Sequence, residues 1–211
     1  MWTVFSNIGD AAVTLPVAAL CAGWIALFNP RLALRLVAIL VAGVALVGVT
    51  KVVYAGWGIS IPAEDFRVIS GHAMLSTCIW MIAITLQLKW WRLPTLPGIV
   101  AGMAIGALTG ISRLLNHSHS VPEVASGWLL GVVMALFFLR SAVNVQLDRL
   151  KPVWSTLSLL LVSLLTYGHE APFEYLIETR SPQLHSHVPS VMALLGRVRY
   201  RVQSHEVTSS K

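Results

Sequence analysis

Apolar residues run through this chain in six long stretches, at roughly 11–29, 34–50, 71–88, 93–111, 122–139 and 152–168, with the charged side chains gathered mostly between them. Stretches of this length suit membrane helices, which need about 20 residues to cross the hydrocarbon. Several are a little short, which leaves the flanking Lys and Arg to snorkel toward the headgroups. Trp57, Trp90, Trp91 and Trp154 fall at the stretch ends, where aromatic belts form. The pattern predicts an all-α fold: a polytopic membrane helix bundle of about six transmembrane helices. It fills residues 1–168 as one domain, with a C-terminal tail over 169–211. The apolar run at 188–195 is too short to span and predicts an interfacial helix within that tail.

A second periodicity lies inside the fourth stretch. Gly98, Gly102, Gly106 and Gly110 recur every four residues and put a smooth stripe on one helix face, and Gly127 and Gly131 repeat the device in the fifth. Such stripes let neighbouring backbones approach closely. They predict tight packing within the chain rather than a seam between two copies.

Composition agrees with a membrane protein. Of 211 residues, 56% are hydrophobic and only 11% charged, less than half the roughly 25% of a soluble domain. The net charge of +6 would point to nucleic acid in a soluble protein. Here the basic residues sit between apolar runs and set topology instead, so no nucleic-acid partner is expected. The cluster Arg197, Arg199 and Arg201 is placed to meet anionic headgroups. Cys21 and Cys78 fall inside apolar stretches and read as small core residues, with no disulfide or metal framework. The N-terminus lacks a basic region ahead of Asp10 and the first apolar run, so that run is expected to stay as a span rather than be cleaved as a signal.

Arg31, Arg35, Lys89, Arg92, Arg140, Arg149 and Lys151 follow the first, third and fifth stretches. The loops after the second and fourth mix Lys51, Arg67 and Arg113 with Glu64, Asp65 and Glu123. The positive-inside rule makes the first set cytoplasmic, so the N-terminus and the two mixed loops are expected outside.

Those mixed loops carry the candidate chemistry. Ser70-Gly71-His72 opens the third stretch; Ser112-Arg113, His119 and Glu123 close the fourth and open the fifth. Ser70 suits an N-cap, which leaves helix N–H groups and a positive dipole end facing any anion, and Gly71 allows close approach. Ser120-Val-Pro-Glu123 reads as a capping box with Pro in the first turn. Glu123 also lies four residues after His119, a spacing that can bring a carboxylate onto one imidazole nitrogen. His117 reads as a loop residue.

Ser112-Arg113-x5-His119-x3-Glu123 resembles the third signature of the type 2 phosphatidic acid phosphatase superfamily, Ser-Arg, five residues, His, three, Asp. Ile69-Ser70-Gly71-His72 resembles the second, Pro-Ser-Gly-His, and Lys51 fits the Lys that opens the first. The likeness covers residues 51–123. It departs at Gly58-Ile59, where the first signature has Arg-Pro, at Ile69 in place of Pro, and at Glu123 in place of Asp. Arg67 stands three residues before Ser70 as a candidate replacement cation.

The resemblance implies a membrane phosphatase acting on a lipid phosphate or diphosphate. His119 would be the nucleophile, Glu123 its orienting acid and His72 the general acid, with Lys51, Ser70, Gly71, Arg113 and Arg67 holding the phosphate. It implies no cofactor and no metal, with the lipid substrate and membrane lipids as partners. The expected location is a bacterial inner membrane with the site facing the periplasm. Two other readings stand beside it: a lipid-phosphate transporter or binding protein that does not hydrolyse, and a haem- or metal-binding protein using His72, His117 and His119.

Overall fold

The computed structural model describes residues 6–57, 60–61, 65–142 and 151–168. The tail at 169–211, with its expected interfacial helix, lies outside the described residues. Among the described residues six helices follow one another: α1 (Ala11–Ala26), α2 (Pro30–Trp57), α3 (Gly71–Trp90), α4 (Leu96–Leu115), α5 (Val121–Ala142) and α6 (Pro152–Thr166). Among the described residues there is no strand beyond one isolated bridge between Ile61 and Phe66. The fold is the all-α bundle that the apolar stretches predict.

Among the described residues five helical segments are long and apolar enough to cross a membrane: Ser6–Ala26, Pro30–Tyr54, Gly71–Trp90, Leu96–Leu115 and Val121–Ala142. The sixth, Pro152–Thr166, is apolar but only 15 residues long. At about 1.5 Å per residue it reaches roughly 22 Å, short of the hydrocarbon thickness.

Boundaries differ from the charge-free windows where a charge is tolerated inside a helix. Asn29 Oδ1 accepts from the Leu32 N–H at 3.1 Å and Pro30 begins α2, so the second helix starts before Arg31 and Arg35 rather than after them. It also continues past Lys51 to Trp57. Likewise α4 runs beyond Arg113 to Leu115. Long cationic side chains near a helix end reach water without interrupting the backbone ladder.

Helix α3 is the centre of the bundle, with Ala73, Met74, Cys78, Ile79, Met81, Ile82, Ala83 and Leu86 all buried. The glycine stripe of α4 lies directly on it. A methyl group at Gly98 would meet the Thr85 backbone, at Gly102 that of Met81, and at Gly106 the Thr77 side chain. The partners step back four residues as the glycines step forward four, which is an antiparallel register. On α5, a Cβ at Gly131 would come 2.5 Å from the Met74 carbonyl oxygen, and one at Gly127 would strike that of Ser70. Both stripes therefore serve packing within the chain. The outer surface stays apolar, with Leu34, Val41, Val100, Leu129 and Phe137 each more than half exposed, as lipid-facing positions are.

Candidate active site

The start of α3, the end of α4 and the start of α5 meet at one end of the bundle. Ser70 caps α3 in an extended conformation (φ −70°, ψ 108°), its Oγ accepting from the Ala73 N–H at 3.5 Å. Its own N–H donates to the Glu123 carbonyl oxygen at 3.1 Å. Ser70 is fully buried, with Gly127 against its carbonyl. What α3 turns toward the open end is the first-turn backbone at Gly71, where the N–H has no partner inside the helix.

Helix α4 delivers Arg113 in its last turn, a favourable place for a cation beside the negative dipole end. An Arg113 terminal nitrogen donates to Ser6 Oγ at 3.3 Å, while its Nε is buried without a hydrogen-bond partner among the described residues. The chain then turns in a Schellman motif. Ser118 N–H bonds the Arg113 carbonyl at 3.0 Å and His117 N–H the Leu114 carbonyl at 2.9 Å. His117 takes the left-handed conformation this requires (φ 53°) and is exposed. The turn sends His119 back toward α5.

There His119 Nδ1 lies 2.8 Å from Glu123 Oε2, both side chains nearly buried. With a carboxylate as acceptor, Nδ1 carries the proton and Nε2 keeps its lone pair. Glu123 is held from all sides. Its Oε1 accepts from the backbone N–H groups of Arg67 (2.8 Å) and Val68 (3.1 Å), and its Oε2 also accepts from that of Ser120 (3.2 Å). Four N–H groups on two oxygens are what a carboxylate that is only 2% exposed needs. Only one half of the expected capping box forms: Ser120 N–H reaches Glu123, but Ser120 Oγ is buried with no partner among the described residues.

Burial pushes the His119 imidazole below its ordinary 6.5. Glu123 pulls it upward, and the neighbouring Arg113 and His72 push it down again. Arg113 and His72 thus both act on His119 across the same small site.

The other expected residues fall around this pair. Thr50 Oγ1 accepts from the Ile69 N–H at 3.2 Å, and Val47 lies against Gly71, so the outer part of α2 borders the α3 start. Lys51, one turn after Val47, is on that same face of α2 and partly exposed. Arg67 is tied into the site by its backbone. Its guanidinium is half exposed and 3.4 Å from Asp65, which with Tyr54 raises its already high pKa. One neighbour was not foreseen: Asp10, the N-cap of α1, has Oδ2 3.4 Å from His72 Nε2. The only signal for it in the sequence is an acid opening a span on the same end of the bundle.

His117 points to solvent, away from the buried His119 ring. Among the described residues no group of three or more His, Cys, Asp or Glu is arranged to hold a metal ion.

Comparison with known proteins addresses the family of the chain. A model of the PAP2 superfamily matches residues 57–146, the stretch holding both polar motifs. The chain is also 35% identical over 144 residues to a 22.5 kDa protein in the cps region of Klebsiella pneumoniae, covering 65% of this chain and 68% of that one. No solved structure matches. With a membrane helix bundle carrying the motifs and the family model spanning them, the chain belongs to the PAP2 superfamily of phosphatases.

Proposed function

We propose that this integral membrane protein hydrolyses a lipid phosphate or lipid diphosphate through a phosphohistidine on His119. The observation that carries the reading is the Glu123 cradle. It fixes the His119 ring by Nδ1 and leaves Nε2 as a neutral nucleophile beside Arg113 and His72.

In the first step Nε2 attacks phosphorus and a P–N bond forms as the ester P–O bond breaks. His72 gives the leaving oxygen its proton. In the second step water, deprotonated by His72, attacks the phosphohistidine; the P–N bond breaks and phosphate leaves. Arg113, Lys51 and the Gly71 N–H stabilise the charge spread over the equatorial oxygens. Arg67 adds long-range positive potential, and Ser70 acts chiefly by shaping the helix start. No step calls for a metal.

The site lies where the bundle meets water, beside apolar helix faces, which suits a headgroup at the boundary with its tail along the helices. The opposite end carries Lys89, Arg92, Arg140 and Lys151, so the site end faces the periplasm of a bacterial inner membrane.

The purified protein is expected to release phosphate from a short-chain phosphatidate or a polyprenyl diphosphate in detergent. His119→Ala should stop it, vanadate should inhibit and EDTA should not. Undiminished turnover by His119→Ala refutes the assignment. Phosphate release without a membrane gradient also separates hydrolysis from transport.

A further inference from the structure

Residues 6–10 pack along α3 and α4, from the middle of α3 to the last turn of α4, and are pinned there at several points. Trp80 Nε1–H donates to the Ile8 carbonyl at 3.1 Å, and Arg113 donates to Ser6 Oγ at 3.3 Å. Gly9 packs so closely on Thr109 and Ser76 that a Cβ there would collide with the Thr109 methyl. Ser76 and Thr109 are themselves hydrogen-bonded at 2.9 Å. The next residue is Asp10, whose position relative to α3 is thus set by contacts from the two helices that carry His72 and Arg113.

The two oxygens of Asp10 do different work. Oδ1 accepts from the Ala12 N–H at 2.7 Å, which completes the cap of α1. Oδ2 lies 3.4 Å from His72 Nε2, with both side chains largely buried, at 12% and 15% exposure. Capping alone needs one oxygen, and Asn or Ser would provide it as well as Asp. A second carboxylate oxygen at that distance instead fixes the ring by one nitrogen and leaves the other for the leaving group.

We infer that Asp10 is the positioning residue of the general acid, holding the His72 ring by one nitrogen as Glu123 holds that of His119; this rests on the phosphatase reading above. When the P–O bond breaks, its electron pair goes to the leaving oxygen, which takes the proton from His72. The enzyme thus has two acid–His pairs of different duty. Glu123 orients one ring with Nε2 left to attack, and Asp10 orients the other with its second nitrogen left to serve the leaving oxygen.

The inference is tested by leaving-group dependence, with the full-length protein in detergent. An alkyl ester such as dioctanoyl phosphatidate needs the proton; p-nitrophenyl phosphate, whose leaving group is a weak base, hardly does. Asp10→Asn should lower kcat on the alkyl ester by about tenfold or more, with KM held within about twofold. The ratio of aryl to alkyl turnover should rise correspondingly, with an unchanged melting temperature because Asn caps α1 equally well. In a His72→Gln background the same substitution should add nothing. Asp10→Ser, which also keeps the cap, should repeat the pattern. An equal fall on both esters, or a full further loss in the His72→Gln background, overturns the assignment of Asp10 alone. Wild-type turnover of both esters by His119→Ala overturns the phosphatase reading and takes this inference with it.

Discussion

Burial drives the His119 imidazole below 6.5, with Glu123 pulling upward and Arg113 and His72 pushing down, and the balance has a direction that kinetics can read. A nucleophilic imidazole is lost when it is protonated, so the acid limb of kcat/KM should fall below pH 6.5. Arg113→Gln removes a positive neighbour and should move that limb of the residual activity to higher pH, whereas Arg113→Lys should hold it; a limb that stays put in the Gln variant contradicts the placement. Glu123 can be probed at the same scale. Glu123→Gln keeps the shape but brings an NH₂ against two of the four N–H donors. We expect it to lower kcat by about 10² or more and to destabilise the fold by about 1–3 kcal/mol, seen as a lower melting temperature in detergent. From sequence, Glu123 had a capping explanation and a catalytic one, and the structure brings together the contacts that each calls for, since Ser120 N–H and His119 share Oε2. The bonds from Arg67 and Val68 were not legible, because a backbone N–H is the same at every residue and leaves no trace in side-chain identity. Asp10 was hidden for a related reason: N-capping already accounted for it locally, and its contact with His72 depends on how α1 meets α3.

Among the elements, the glycine stripe of α4 was legible as a smooth face, but its partner was not, since spacing says nothing about what fills the groove. The structure supplies α3, with Gly102 against the Met81 backbone. Backbone cannot retreat as a flexible side chain can, so Gly102→Ala must push the two helices apart along the whole stripe. A loss of about 1–3 kcal/mol is expected, larger than for the same change at Gly23, where a Cβ meets nothing within 4 Å. Melting curves of the two variants in one detergent provide the comparison, and equal stability would argue against this register. Because α3 carries His72 at its start, the displaced helix should also lose activity beyond what its stability loss predicts. Helix ends were the least legible feature. Arg31, Arg35, Lys51 and Arg113 break a charge-free window without breaking a helix, since their charges reach the boundary on long stems. The short α6 shows the converse: composition alone marked a span, while its 15 residues fall short of one.

For the whole molecule, the number of spans decides which ends meet, and here that arithmetic is what makes a site. Four polar segments far apart in the chain, around Asp10, Lys51, Ser70 to His72 and Arg113 to Glu123, lie at one end because the helix direction alternates between them. The same alternation gathers Lys89, Arg92 and Arg140 at the other end, and by the positive-inside rule that end is expected in the cytoplasm. The native thiols allow a clean measurement. Cys21 and Cys78 are both buried, at 1% and 0% exposure, so they should be silent to a membrane-impermeant maleimide. Ser118→Cys places a thiol in the exposed turn beside His119, and Leu93→Cys places one at the opposite end, where the native side chain is 51% exposed. In intact spheroplasts Ser118→Cys should be labelled and Leu93→Cys should react only after permeabilisation. The reverse pattern would put the site in the cytoplasm. The substrate would then have to come from the inner leaflet, leaving the chemistry of His119 and Glu123 untouched but reversing the side of the membrane on which phosphate is released.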